Sequence, residues 1–291
     1  MKKIFPAILF LIGIQNWSCG VLQTVAVNST VGIVDYGLGA IFEESDLQFA
    51  EQAIPANVTL IEALYRAKDM DDDHLALLLT QAYTGYALAF VEDVDPERAK
   101  VLYKRARDYG LTVLKKNKRF RAAFEEDPEQ FQNAVSTFSK DDVPIIFWTA
   151  NAWGNLVKLS LADPAVLGDL HKVNALMEYV LRADERYYYG SAHLFFGTMF
   201  ATTPKSLGGK PDSAKVHFDK CLAIGAQKFL LPYVFLAQSY AVQMQDKALF
   251  ESSLKIVEEA SIDILPEQRL VNAVAKRKAK ALLAKVDDLF F

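Results

Sequence analysis

Ala82-Tyr83-Thr84-Gly85-Tyr86-Ala87-Leu88-Ala89-Phe90-Val91-Glu92-Asp93-Val94-Asp95-Pro96-Glu97-Arg98-Ala99 decides the fold. Take Tyr83 as the first large residue of a helix. Tyr86, Ala87 and Phe90 follow three, four and seven residues later, on one face. Asp95 then caps a second helix, with Pro96 at the first position, where a missing N–H costs nothing. Ala99, Tyr103 and Ala106 fall sixteen, twenty and twenty-three residues after Tyr83. Small residues at Ala87, Ala99 and Ala106 let two antiparallel helices approach closely. The large ones fill the groove toward the next pair.

That order of large and small positions is the spacing of a tetratricopeptide repeat. It recurs at His193, Phe196, Gly197 and Phe200, returning with Ala214, Phe218 and Cys221. A third copy has Tyr233, Leu236, Ala237 and Tyr240, then a looser helix around Ala248–Val257. Trp148, Ala152 and Asn155 begin a degenerate copy whose partner, near His171–Arg182, is out of register. Pro266 and Glu267 open a final capping helix with Leu270, Val274, Leu282 and Leu283 inside. No segment shows the alternation and turn spacing of an all-β domain. The expected fold is all-α: a tetratricopeptide-repeat-like superhelix of helical hairpins with capping helices, over residues 45–291.

Further out from the repeats, helix boundaries are read from caps and breakers. Ser45 and Asp46 start a helix that Pro55 is expected to stop near Ile54, with Asn57 or Thr59 opening another. The acidic run Asp69–Asp73 is read as a solvated helix junction. It has the charge of a calcium loop but lacks the glycine and the bidentate glutamate. A long apolar helix is expected from Leu75 to Phe90, and the helix after Asp95 is expected to end near Tyr109, before Gly110.

At the N-terminus Lys2 and Lys3 precede an unbroken apolar run, Ile4 to Ile14, and Cys19 follows a short polar stretch. This is the pattern of a secretory signal over residues 1–18. The run is shorter than the roughly 20 apolar residues a spanning helix needs. The cysteine suggests a bacterial lipoprotein cut before Cys19 and acylated on it, although Asn16 stands where such signals usually carry an aliphatic residue. Ordinary secretion with a nearby cut is the alternative. Residues 19–44 form a glycine-punctuated lead-in. No other stretch is expected to cross a membrane. The expected location is the periplasm with a lipid anchor, and Val21 after Gly20 favours the outer membrane.

Acidic residues number 36 against 32 basic ones, and cleavage removes two of the basic ones. Nucleic acid is thereby disfavoured as a partner, because backbone binding needs a cationic face. Cys19 and Cys221 are the two cysteines, so a lipidated Cys19 leaves Cys221 without an intrachain partner. Cys221 stands at a small-residue repeat position and reads as a buried small hydrophobe.

No catalytic constellation emerges, and no cofactor or metal is expected. His74, His171, His193 and His217 show no metal-ligand spacing. Gly208-Gly209-Lys210-Pro211 lacks the remainder of a phosphate loop. What is left is a surplus of aromatics (Phe147, Trp148, Trp153, Tyr187, Tyr188, Tyr189) and the long loop Thr202–Pro211, stiffened by two prolines and tipped by Leu207. Aromatics on a solenoid's concave or axial surface line a groove or channel.

Several stretches together resemble the TatT family, the periplasmic lipoprotein T component associated with tripartite ATP-independent (TRAP) transporters. They are Phe49-Ala50-Glu51-Gln52-Ala53-Ile54-Pro55-Ala56-Asn57; Ala82 to Ala99; Ala106-Arg107-Asp108-Tyr109-Gly110-Leu111; Trp148-Thr149-Ala150-Asn151-Ala152-Trp153-Gly154; and Pro204-Lys205-Ser206-Leu207-Gly208-Gly209-Lys210-Pro211 before Ala214-Lys215-Val216-His217-Phe218. The resemblance implies a non-enzymatic homotrimer with an apolar pore or cleft in each subunit. It also implies a TatP-type periplasmic solute-binding protein as partner and a small hydrophobic organic acid as cargo. Trp148, Trp153, Tyr86, Phe90, Pro204 and Leu207 are the expected lining, and Lys205 and Lys210 the expected cations for a ligand carboxylate. The rival reading is a repeat scaffold for outer-membrane protein assembly, which would bind peptide and need no channel.

Overall fold

The computed structural model describes residues 32–161, 163, 166, 168–203 and 209–290. The signal sequence, Cys19, Pro204, Lys205 and Leu207 lie outside them. Helices account for nearly all of the ordered backbone, and no strand occurs among the described residues.

The lead-in ends in a helix, α1 (Gly32–Phe42), tied to the body by a His74–Asp35 contact of 2.7 Å. Asp46 caps α2 (Leu47–Ala67) through bonds from the Gln48 and Phe49 amides. Contrary to expectation, Pro55 lies inside α2 and does not end it. The apolar stripe Ala50, Ile54, Val58, Ile61, Leu64 runs unbroken past it and buries against the core. Pro55 and Glu51, whose carbonyl loses the bond, both face solvent, where water replaces the missing donor. The side chains of Asn57 and Thr59, expected to open a second helix, instead bond back to the carbonyls of Ala53 and Pro55.

The acidic junction works as read. Asp69 and Met70 turn the chain with positive φ, and Asp72 caps α3 (Asp73–Tyr86) by accepting from the Leu75 amide. Lys116 bridges Asp71 and Asp73. Helix α3 runs into a π-helical turn, Ala87–Val91. The combined segment Asp73–Val91 is long and apolar enough to cross a membrane by length and composition, which corrects the sequence reading. More than half of it is buried inside the protein, as befits the central helix of a core.

Asp95 accepts from the Arg98 amide at the start of α4 (Pro96–Leu114), with Pro96 where the spacing places it. Asp95→Ala should cost about 1 kcal/mol, the usual worth of such a cap, measured by urea unfolding. Gly110 does not terminate α4 but sits inside it. A Cβ built there would stand 1.9 Å from Thr149 Oγ1, so the glycine exists for close helix approach.

Two short helices, α5 (Lys118–Ala123) and α6 (Pro128–Val135), cover a cluster of Phe120, Phe131 and Phe138. Helix α7 (Val143–Leu159) packs on α4 on one side and on α8 (Leu170–Asp184) on the other. Next come α9 (Tyr187–Thr202) and α10 (Pro211–Ile224), the second repeat pair. Gly197 lets Phe218 approach, with its virtual Cβ 3.1 Å from that ring, and Ala214, Phe218 and Cys221 are fully buried. Burial pushes the Cys221 thiol up to about 12, which leaves it an inert core residue.

Helix α11 (Leu231–Phe235) enters a second π-helical turn, Leu236–Ala241, and packs with α12 (Lys247–Glu259). A short 3₁₀ turn at Pro266–Gln268 leads into the cap α13 (Arg269–Leu283), followed by α14 (Val286–Leu289). The small repeat positions Ala87, Ala99, Ala106, Ala214 and Ala237 are all fully buried, as close hairpin packing requires.

Candidate functional site

A cavity of about 910 Å³ lies within the molecule, touched by eight of the helices and both π turns. Its wall is largely apolar. Leu38, Ile41 and Phe42 come from α1, Tyr86 from α3, Trp148 from α7, Tyr188 and Phe195 from α9, and Val271 and Val274 from α13. Tyr86 and Phe90 meet at 5.7 Å between ring centres, and Trp148 packs edge-on against Tyr188 at 4.8 Å.

Three of the expected lining residues, Trp148, Tyr86 and Phe90, therefore share this wall. Trp153 does not, and this corrects the sequence reading. Five residues along α7 it points some 140° away from Trp148, at about 100° per residue. It is 1 % exposed, its indole donates to Asp169 Oδ2 at 3.1 Å, and it stacks on Phe124. Pro204 and Leu207 lie outside the described residues, as does Lys205. Lys210 is exposed, with its ammonium over the Phe200 ring at 5.6 Å, and is not part of the wall. Its backbone N–H donates to Phe200 O at 3.1 Å and ties the base of the long loop.

Among the described residues, the cation that lines the cavity is Lys158, paired with Glu92. Glu92 also accepts a 2.5 Å bond from Tyr103, whose hydroxyl is held far above its ordinary pKa by burial and by that carboxylate. Asn151 and Asn155 lie on the same wall, and Asn155 Nδ2 donates to Asn151 Oδ1 at 2.8 Å. Neither the lysine nor the two amides stood out in the sequence. Their i, i+3, i+7, i+10 series from Trp148 was the available signal.

Local backbone departures cluster here. The two π turns occupy the same register in their repeats: Glu92 N–H reaches Ala87 O, and Val242 N–H reaches Ala237 O. Leu88, Ala89 and Phe90 of one, and Gln238 and Ser239 of the other, line the cavity. Arg277 donates to Ala89 O and lies over Phe90, holding the first turn to α13. At the start of α9, Tyr188, Tyr189 and Gly190 adopt left-handed backbone. Phe229, stacked on Tyr189 at 4.9 Å and edge-on to Tyr188, holds this turn against the wall. π turns and strained residues gather at functional sites in proteins generally.

The fold brings His193 and His217 together, Nδ1 to Nδ1 at 2.9 Å, outside the cavity wall. No group of three metal-ligating side chains occurs among the described residues. Burial, then the neighbouring His193, hold His217 down at about 4, and burial lowers His193 as well. Both are thus neutral in the fold, while an unfolded histidine protonates near 6.5. The unfolded chain binds more protons between these values, so stability should fall as pH drops from about 6.5 toward 4. Urea unfolding across that range checks it: a His193→Gln/His217→Gln variant should show a shallower slope, and equal slopes would refute the assignment.

An all-helical body of paired helices around an apolar cavity places the protein among all-α proteins with an internal ligand-sized chamber. The family can be given outright. The profile of the TRAP transporter T-component family (TAtT) matches residues 43–290, and the chain belongs to that family. By its description the family is associated with transport. The chain is also similar to an uncharacterized protein of Treponema pallidum (strain Nichols), 22 % identical over 264 residues, covering 85 % of this chain and 81 % of that protein.

Proposed function

We propose that this T-component is a periplasmic binding and docking module that receives a small, largely hydrophobic organic acid. In this reading it works with a TatP-type solute-binding protein to deliver the cargo toward a TRAP permease, and no chemical step takes place. The single observation that carries the proposal is the cavity of about 910 Å³ lined by Tyr86, Phe90 and Trp148. A chamber of that size and polarity suits a small ligand. A peptide scaffold has no need of one, which weighs against the outer-membrane assembly reading.

Two further features belong to the same proposal. Lipidation at Cys19 would hold the module at a membrane, and labelling with radioactive palmitate that survives in a Cys19→Ala variant would refute it. A homotrimeric assembly is the expected state, read by sedimentation equilibrium. The central test is association: purified protein and a TRAP-type solute-binding protein should co-sediment. Absence of association with and without ligand would remove the docking role.

A further inference from the structure

One face of α7 presents Trp148, Asn151, Asn155 and Lys158 to the cavity, at steps of three, four and three residues. The ten residues between the first and the last span about 15 Å of helix axis. Polarity is graded along this line, from an indole through two amides to an ammonium. Exposure is graded the same way: Trp148 is 5 % exposed, the Lys158 side chain 37 %, and Leu161, the next wall residue beyond it, 63 %. The apolar end of this line is therefore the deeper and the cationic end the more exposed.

Lys158 is the one charged side chain among the described residues of the wall. Its partner Glu92 is recessed, only 12 % exposed, and anchored from behind by Tyr103. The ion pair thus turns its positive member toward the cavity and its negative member toward the core. A cationic head group would meet a like charge there. An uncharged hydroxyl would offer the ammonium only a neutral acceptor. An anionic head group gains a charge-assisted bond.

Resting on the binding role proposed above, we infer that Lys158 is the specificity-determining counter-ion of the cargo. The cargo is then a single-chain monocarboxylate lying along α7, with its carboxylate at Lys158 and its tail against Trp148. A carbon zigzag advances somewhat less than one ~1.5 Å bond per atom, so the face fits a chain of roughly ten to twelve carbons. Glu92 competes with the ligand for the same ammonium and sets the affinity.

Titration calorimetry with decanoate, decan-1-ol and decyltrimethylammonium, each below its micelle concentration, tests this. The wild type should bind decanoate about tenfold or more tighter than the alcohol, as one charge-assisted bond implies, and the cation weakest. Lys158→Met should erase the preference for decanoate, weakening decanoate far more than the alcohol. Glu92→Gln should tighten decanoate severalfold, an opposite sign that a merely structural ion pair would not give. It keeps the cation and so carries the test if Lys158→Met fails to fold. Alcohol and decanoate bound equally by wild type and Glu92→Gln would overturn the head-group assignment while leaving the apolar chamber standing. No binding of either amphiphile by the wild type would overturn both readings.

Discussion

Gly110→Ala should destabilise the protein by about 2–3 kcal/mol, the cost of forcing an extra carbon into a filled interface. Propensity alone argues the other way, since alanine gains about 1 kcal/mol over glycine inside a helix. The contact wins because of what the new Cβ meets. Thr149 Cβ lies 2.9 Å away and its hydroxyl oxygen 1.9 Å away. Thr149 is fully buried, and its hydroxyl is committed to Ile145 O at 2.6 Å, so the side chain has nowhere to turn. Helices α4 and α7 must then move apart. Gly85 is the internal control, because a Cβ there meets nothing within 4 Å. Gly85→Ala should stabilise by about 1 kcal/mol. Paired urea unfolding curves decide it, and a gain in stability from both substitutions would sink the close-approach account.

Trp153→Ala should be costlier, about 3–5 kcal/mol, as for other large aromatics removed from a core. The indole is buried between Phe124 and the Arg107 guanidinium, and Lys172 lies 6.0 Å from its ring. Truncation opens a hole and also takes the Nε1 donor away from Asp169. Trp153→Phe should recover much of the packing while still losing that bond. Neither change should alter ligand affinity where the protein folds, because the ring lies behind α7, away from the cavity. Thermal melts separate the two variants. A marked change in amphiphile binding by Trp153→Phe would show that the tryptophan communicates with the chamber after all.

Hairpin packing was legible because its rules are local. Small residues at Ala87, Ala99 and Ala106, or at Gly197 and Cys221, sit where two neighbouring helices must touch, and their spacing follows from helix geometry alone. The N-caps Asp46 and Asp95 were legible for the same reason, each acting within three residues of itself, whereas Asp72 was read only as part of an acidic junction. Breakers were misread where the environment overruled them. Pro55 is tolerated because its lost bond faces water, and Gly110 is helical because another helix, not a turn, demanded it.

The chamber was legible only in outline. Aromatic surplus pointed to Trp148 and Tyr188, and the family resemblance to Tyr86 and Phe90, but the same surplus pointed to Trp153. Nothing local distinguishes two tryptophans on one helix when either face can be buried. Lys158 was hidden among ordinary helix-surface lysines, and Phe229 carried no signal of its own. The π turns left no mark either, since Ala87–Val91 and Leu236–Ala241 read as plain helix.

By itself, then, the chain's order of large and small residues determined an all-α body of paired helices, and its longer quoted stretches carried the likeness to the family to which it belongs. Which helix faces surround the chamber, and that Lys158 is the charged side chain among the described residues of its wall, came only from tertiary structure. The physical reason is range. Helix formation and hairpin pairing depend on neighbours a few residues apart, whereas a cavity is the space left by helices far apart in sequence, with Leu38 at one end of the described chain and Val274 near the other.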